Sequence, residues 1–308
     1  MKKIKLLFPW LISAIVFWSA GFAYNVYFGG LIGWHRKAYN NKVALASDIQ
    51  AQRRLILVGG SGVHYTFNAE YMEEQLGFPV FNFGLDGQLG FDLILPITLE
   101  EIREGDIVLL IPEYLMLLDD VGTGPIAFPF ALATNNLDLI EVSQKDFLEN
   151  TFTLGIPGLN SLVKSAVDLT TKGHFDDYYS DPLTPRGEPT RTFLRQSPWW
   201  QMTIRRTVSD HSLKVIEEFK EDVESKGGTL ILSLPIIYGD NDEQTLVNVK
   251  ETAEKLAKIA PIIYDEKTLN IWTDYNLFAD THYHLKPEGR MIRSDQVIKE
   301  LKPILDNK

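Results

Sequence analysis

Two short stretches, far apart along the chain, hold residue types that can do chemistry together. The first is Arg54-Leu55-Ile56-Leu57-Val58-Gly59-Gly60-Ser61-Gly62 and the second is Asp280-Thr281-His282-Tyr283-His284. A serine hydroxyl is a weak nucleophile near neutral pH and needs a base within about 2.6–3.2 Å. An imidazole serves as that base when a carboxylate fixes its tautomer and stabilises its protonated form. Ser61, a histidine from the second stretch and Asp280 supply the three parts, and their order along the chain is immaterial because such a triad is defined by geometry. Asp280, His282 and His284 also have the ligand chemistry of a zinc or manganese site. No further His/Asp cluster accompanies them, so no metal is expected. His64 reads as a local hydrogen-bonding partner of the serine turn rather than a second base.

The elements that must position these groups follow from the pattern of apolar residues. Leu55–Val58 is too short for a buried helix and suits a strand covered on both faces. Gly59 and Gly60 then permit a sharp turn and close backbone approach. On its own this stretch is also consistent with a plain strand-to-helix turn capped by a serine. A helix capped by Asn68 runs to Leu76 and closes at Gly77. Strands follow at 79–83 and 106–111, separated by a helix over 89–103 that contains Pro96. A helix begins at His211, with Leu213, Ile216, Phe219 and Val223 on one side. A fourth strand spans 229–237, a helix 243–258, a fifth strand 261–264 and a last helix 287–301. Strands alternating with helices predict an α/β fold, a three-layer flavodoxin-like parallel sheet of about five strands in the order 2-1-3-4-5. Ligands of such sheets collect at the carboxyl ends of the strands. That is where Ser61 and the acid–histidine loop both fall, so the two stretches are expected to meet.

Residues 119–208 interrupt the alternation with glycines, prolines and aromatics, including Tyr178, Tyr179, Trp199 and Trp200. They are expected to form an insertion of short helices and loops. The aromatics beside the predicted site suit a carbohydrate or lipid-linked acyl-ester substrate, and equally an ordinary core.

Composition narrows the classes. The 308 residues, 45% hydrophobic and 23% charged, have the balance of a globular protein. A net charge of −11 argues against nucleic-acid binding. The chain has no cysteine, which excludes disulfides, thiolate catalysis and Cys-based zinc sites. Lys2, Lys3 and Lys5 precede a nearly uninterrupted apolar run from Leu6 to Phe28, long enough to cross a hydrocarbon core of about 30 Å. The basic flank predicts a cytoplasmic N-terminus and an extracytoplasmic main domain, with the lipid bilayer as partner of this helix. A cleaved signal peptide is the rival reading, with Gly21-Phe22-Ala23 as its cleavage site, but the uncharged run continues well past it. The expected organisation is an anchor over 1–34, a juxtamembrane linker over 35–53 and a catalytic domain over 54–308.

The Gly59-Gly60-Ser61 turn, the Asn82-Phe83-Gly84 turn and the Asp280…His284-Leu285…Gly289 run together resemble the blocks of the SGNH (GDSL-like) hydrolase superfamily, over about residues 51–118 and 211–305. The similarity extends to its membrane-anchored members of bacterial cell-envelope acyl transfer. It implies a serine esterase or O-acyltransferase without a cofactor, with a membrane acyltransferase as a candidate partner. It implies Ser61 as nucleophile, His284 as base with His282 as the alternative, and Asp280 as the orienting acid. It further implies oxyanion donors from the backbone of Ser61 and Gly84, with Asn82 as substitute. Pro287-Glu288-Gly289 follows His284 at the family's spacing, which favours it over His282. Two departures stand out. Asp280 and His284 are one residue further apart than the usual Asp-x-x-His. Pro112-Glu113-Tyr114 replaces the family's Gly-x-Asn, and an ionised carboxylate cannot donate to an oxyanion. Glu113 therefore supports the alternative of a non-catalytic scaffold or binding subunit.

Overall fold

The structure is a computed structural model that describes residues 2–141, 143–195 and 200–306. Its chain divides into two compact units, 1–40 with 125–181 and 41–124 with 182–308.

The larger unit is built on a five-stranded parallel sheet. β1 (Leu55–Val58), β2 (Val80–Asn82), β3 (Ile107–Leu110), β4 (Thr229–Ser233) and β6 (Ile262–Ile263) lie in the order β2-β1-β3-β4-β6. This is the predicted topology with one more strand in the count. Pro235, which has no N–H to give to a ladder, follows β4, and Ile237–Tyr238 forms a separate short β5. β5 pairs in parallel with β7 (Ile271–Trp272). Every residue of β1 and β3 is buried, as a sheet covered on both faces requires. The side chains of Leu55, Leu57, Ile107, Leu109, Ile231 and Ile263 join Val63, Phe67, Met72, Val297, Ile298 and Leu301 in one core. The last six of these come from the chain after β1 and from the final helix, Pro287–Asp306. The Asn68 side chain caps helix Ala69–Leu76, accepting from the N–H of Tyr71, and Gly77 ends it in the left-handed conformation.

Two buried basic side chains tie the ends of this sheet, Arg54 at the entry of β1 and β3 and Lys42 at the end of β2. Arg54 forms a two-pronged ion pair with Asp106 (Nε–Oδ1 2.9 Å, Nη2–Oδ2 2.6 Å) and also donates to the carbonyls of Ala46 and Glu101. Lys42 is completely buried, and its Nζ donates to the carbonyl oxygens of Asn82 and Gly187, both at 2.6 Å. Residues 35–53 were expected to be a linker. They are instead mostly helical, within Gly30–Asp48, and Lys42 makes residues from 41 onward part of the folded unit.

The smaller unit is helical. It holds Lys2–Ala23, a π-helical stretch Tyr24–Phe28, the first part of Gly30–Asp48, Ala127–Thr134 and Gln144–Lys172. The expectation of mostly short helices and loops between 119 and 208 does not extend to Gln144–Lys172, which runs for 29 residues. There the indole of Trp18 donates to the carbonyl of Phe152 (2.7 Å), and Gly21 lies against Gly155 and Gly158 so closely that a Cβ on any of the three would collide. Residues 182–208 of the predicted insertion belong to the sheet unit. Among the described residues, the helical stretch Phe8–Asp48 is long and apolar enough to cross a membrane, and Phe8, Trp10, Leu11, Ile15 and Phe17 expose their side chains.

Replacing Arg54 with alanine leaves the Asp106 carboxylate buried and unpaired. The expected cost is about 3–5 kcal/mol of stability, read as a lowered midpoint in chemical denaturation.

Candidate active site

Ser61 stands at the first turn after β1, opening the short helix Ser61–His64. Beside β1 in the sheet is β3, and the chain leaving β3 brings Glu113 to the same edge. The Ser61 hydroxyl donates to Glu113 Oε1 (3.1 Å), and the N–H of Gly62 donates to that same oxygen. The carboxyl is fully buried among backbone. A Cβ at Gly60 or Gly87 would collide with Oε2, and one at Gly62 would stand 2.8 Å from Oε1. These three glycines leave the space that the carboxyl fills. Burial pushes Glu113 up to about 7. The Gly62 N–H opposes the rise, the charge of Asp86 adds to it, and the Ser61 hydroxyl opposes it more weakly.

The acid–histidine loop is held tightly. The N–H of Ala279 donates to the carbonyl of His284 (2.8 Å), Phe278 bridges Leu285, and the N–H groups of Tyr283 and His284 both donate to Thr281 Oγ1. This closed loop accommodates the extra residue between Asp280 and His284. His284 Nδ1 lies 2.9 Å from Asp280 Oδ1, which leaves Nε2 as the atom that can accept a proton. The expected pairing of acid and base is therefore formed.

The same loop abuts the serine turn. Thr66 Oγ1 donates to the carbonyl of Tyr283 (2.8 Å), the Tyr65 and His284 rings lie 4.5 Å apart, and the Tyr283 Cβ sits against Gly62. The two chemical stretches thus share one edge of the sheet. Within it, the Ser61 hydroxyl is bonded to Glu113 and not to an imidazole. His282 is directed elsewhere. Its Nε2 lies 2.8 Å from the carbonyl of Trp200, its ring packs near Trp200 and Tyr238, and burial lowers its pKa, opposed by the Trp200 carbonyl. His64 is buried edge-to-face on Tyr65.

Two of the predicted oxyanion donors are committed within the fold. Asn82 Nδ2 donates to the carbonyl of Val63 (2.9 Å), and the Gly84 N–H donates to Asn82 Oδ1 (2.9 Å). The first braces the serine turn against the end of β2, the second holds the Asn82 amide in place for it, and a Cβ at Gly84 would strike the backbone of Val63 and His64. Glu113 is the residue that sequence reasoning registered only as a misfit, and the signal was its position just past β3. Arg293, on the final helix, was not anticipated. It is fully buried, donates to Ser233 Oγ (2.8 Å) and the carbonyl of Leu234 (3.0 Å), and shares with Glu113, Thr66 and Tyr283 the wall of a small cavity beneath the serine turn.

No family model matches the chain, and no curated protein matches it. Among solved structures, it is similar to the Bacillus subtilis protein YxiM, with 12% sequence identity and a TM-score of 0.39 over 82% of this chain. The chain spans 57% of the length of that protein's structure.

The raised Glu113 pKa has a signed consequence for stability. Between its ordinary value of 4.5 and about 7, the folded chain keeps a proton that the unfolded chain loses. This contribution to stability is complete below about 4.5 and is lost as pH rises through about 7. In Glu113→Gln that loss disappears, so the fall in melting temperature between pH 5 and 8 is expected to be smaller than in wild type.

Proposed function

We propose that the chain is a serine esterase or O-acyltransferase of SGNH type, tethered to a membrane by its N-terminal helix with the sheet domain on the extracytoplasmic side. The observation that carries this reading is the Asp280–His284 pair, formed on a loop that packs against the Ser61 turn. The Phe8–Asp48 helix supports the tether.

The chemistry follows from the groups present. The reaction requires a rotation about the Cα–Cβ bond of Ser61 that takes its hydroxyl from Glu113 to the imidazole. Ser61 Oγ then attacks an ester carbonyl carbon while its proton passes to His284 Nε2, and Asp280 stabilises the imidazolium. Collapse of the tetrahedral species breaks the ester C–O bond, and the departing alcohol takes the proton from His284. Water or a hydroxyl of a polysaccharide or lipid-linked acceptor next attacks the acyl-Ser61 carbonyl, giving up its proton to His284, and Ser61 leaves with it. Metal and cofactor have no step in this sequence. A membrane acyltransferase that supplies the acyl group fits the O-acyltransferase form.

A second reading, a non-catalytic scaffold in envelope polysaccharide modification, is favoured by the Ser61–Glu113 hydrogen bond. A fluorophosphonate probe separates the two. The enzyme is expected to label at Ser61 and to hydrolyse p-nitrophenyl acetate, with both lost in Ser61→Ala. His284→Ala is expected to lower the hydrolysis rate by roughly 10²–10⁴. Folded wild-type protein that neither labels nor turns over the ester leaves the scaffold as the function.

A further inference from the structure

Resting on the acyl-transfer reading, we propose that Glu113 is a catalytic residue that works as a neutral acid, its carboxyl proton serving as the oxyanion donor in place of an amide.

The pattern of hydrogen bonds around the carboxyl carries this assignment. Oε1 accepts two donors, the Ser61 hydroxyl and the Gly62 N–H, whereas Oε2 is buried with no hydrogen-bond partner among the described residues. An ionised carboxylate spreads its charge over both oxygens and calls for donors at each. A carboxylic acid has one carbonyl-like oxygen that accepts and one hydroxyl that gives. The observed division fits the second form. The surroundings agree. The group is fully buried and no cation among the described residues is bonded to it, and a buried carboxylate left without a paired charge is costly. Facing it are Asp86, an acid; the phenol of Tyr283, which burial holds in the neutral form; the Ser61 hydroxyl; and, across the small cavity, Arg293. The rise of its pKa to about 7 is the consequence.

Position supplies the function. The carboxyl is 3.1 Å from the oxygen that would attack. The space that the hydroxyl leaves beside the carboxyl when Ser61 turns to the imidazole can take the oxyanion of a carbonyl bonded to Ser61 Oγ, and oxyanion donors act at about 2.7–3.1 Å. The Asn82 amide and the Gly84 N–H are committed elsewhere. When Ser61 turns to the imidazole, Oε1 loses one of its two donors, and rotation about Cγ–Cδ presents the carboxyl proton to the oxyanion. That proton remains on Glu113 throughout, so no group is consumed. A neutral carboxyl also removes the repulsion that an ionised one would impose on the developing charge. The requirement for a protonated Glu113 sets an alkaline limit to activity.

The test compares Glu113→Gln, Glu113→Ala and wild type in full-length protein, each checked for folding by thermal melting. Ester hydrolysis is followed from pH 5 to 9. Wild type is expected to lose kcat above about pH 7, whereas Glu113→Gln, which keeps a neutral donor, is expected to hold its rate there and stay within about tenfold of wild type at pH 6. Glu113→Ala is expected to fall by about 10²–10³ in kcat, the usual cost of one such donor. An independent readout is the infrared carbonyl stretch of a protonated carboxyl, expected at pH 6 in wild type and missing in Glu113→Gln. The inference is overturned if Ser61 labels and turns over ester but Glu113→Ala is as fast as wild type or faster, since the carboxyl would then be an obstruction. It is also overturned if the alkaline limb survives in Glu113→Gln. Absence of labelling in wild type and both variants removes the acyl-transfer reading itself, and the infrared band then reports whether the buried acid is neutral without it.

Discussion

The edge of the sheet is organised by one buried carboxyl. Glu113 has no counter-ion bonded to it and no water-facing surface, and its two donors are the side chain of Ser61 and the backbone of Gly62. Those donors belong to the turn after β1, whereas the carboxyl belongs to the chain leaving β3. The bond therefore spans two neighbouring strands at their carboxyl ends. Parallel pairing of β1 with β3 sets the two exits side by side, and the glycines at 60, 62 and 87 let the backbone close on the group. Removing any one of these conditions would separate the acid from the hydroxyl.

A second constraint comes from the far end of the chain. The Tyr283 carbonyl accepts from Thr66, and the Tyr65 ring covers His284, so the loop before the last helix is fixed by the turn that carries Ser61. Asn82 braces that turn from the other side, and Lys42 in turn holds the Asn82 carbonyl. A buried ammonium with two carbonyl acceptors at 2.6 Å is a costly device. Its use here fixes the end of β2, from which Asn82 reaches the site. This edge is thus built from segments beginning at residue 42 and ending beyond 293, with no segment able to supply it alone.

How much of this was legible in the sequence depends on whether local or distant partners decide each element. Leu55–Val58 and Ile107–Leu110 were readable because an apolar run between turn residues has one comfortable place in an α/β sheet. The Asn68 cap and the Gly77 stop are local chemistry and were equally readable. The Asp280–His284 bond follows from a loop that closes on itself. By contrast, Gly155-Ile156-Pro157-Gly158 reads as a break, while the neighbour that makes close packing there possible, Gly21, lies 134 residues earlier. Lys42 is one polar residue of the 35–53 stretch, and nothing local distinguishes it from the lysines that ordinarily face solvent. The Asn82 amide and the Gly84 N–H are engaged within the fold, the Gly84 N–H by Asn82 Oδ1 in a local Asx turn and the Asn82 amide by the distant carbonyl of Val63.

Glu113 illustrates why a departure from a pattern is better read through its surroundings than counted as a defect. Set against an amide-donor template, a glutamate looks like the loss of a donor and the arrival of a repulsive charge. Both objections assume ionisation. In water that assumption holds at neutral pH, but here it requires a charge to sit in a fully buried pocket bonded only to a hydroxyl and one amide. The same burial that makes the ionised form costly makes the protonated form serviceable, because an acid that keeps its proton near pH 7 is a stronger hydrogen-bond donor than the amide it replaces. The pocket also discriminates by length. With the backbone at 113 fixed by β3, an aspartate would withdraw the carboxyl by one methylene from both Ser61 and Gly62, whereas a glutamine would occupy the same volume. Space and charge therefore select a group of one shape and one protonation state, and the chemistry open to Ser61 is set by that state.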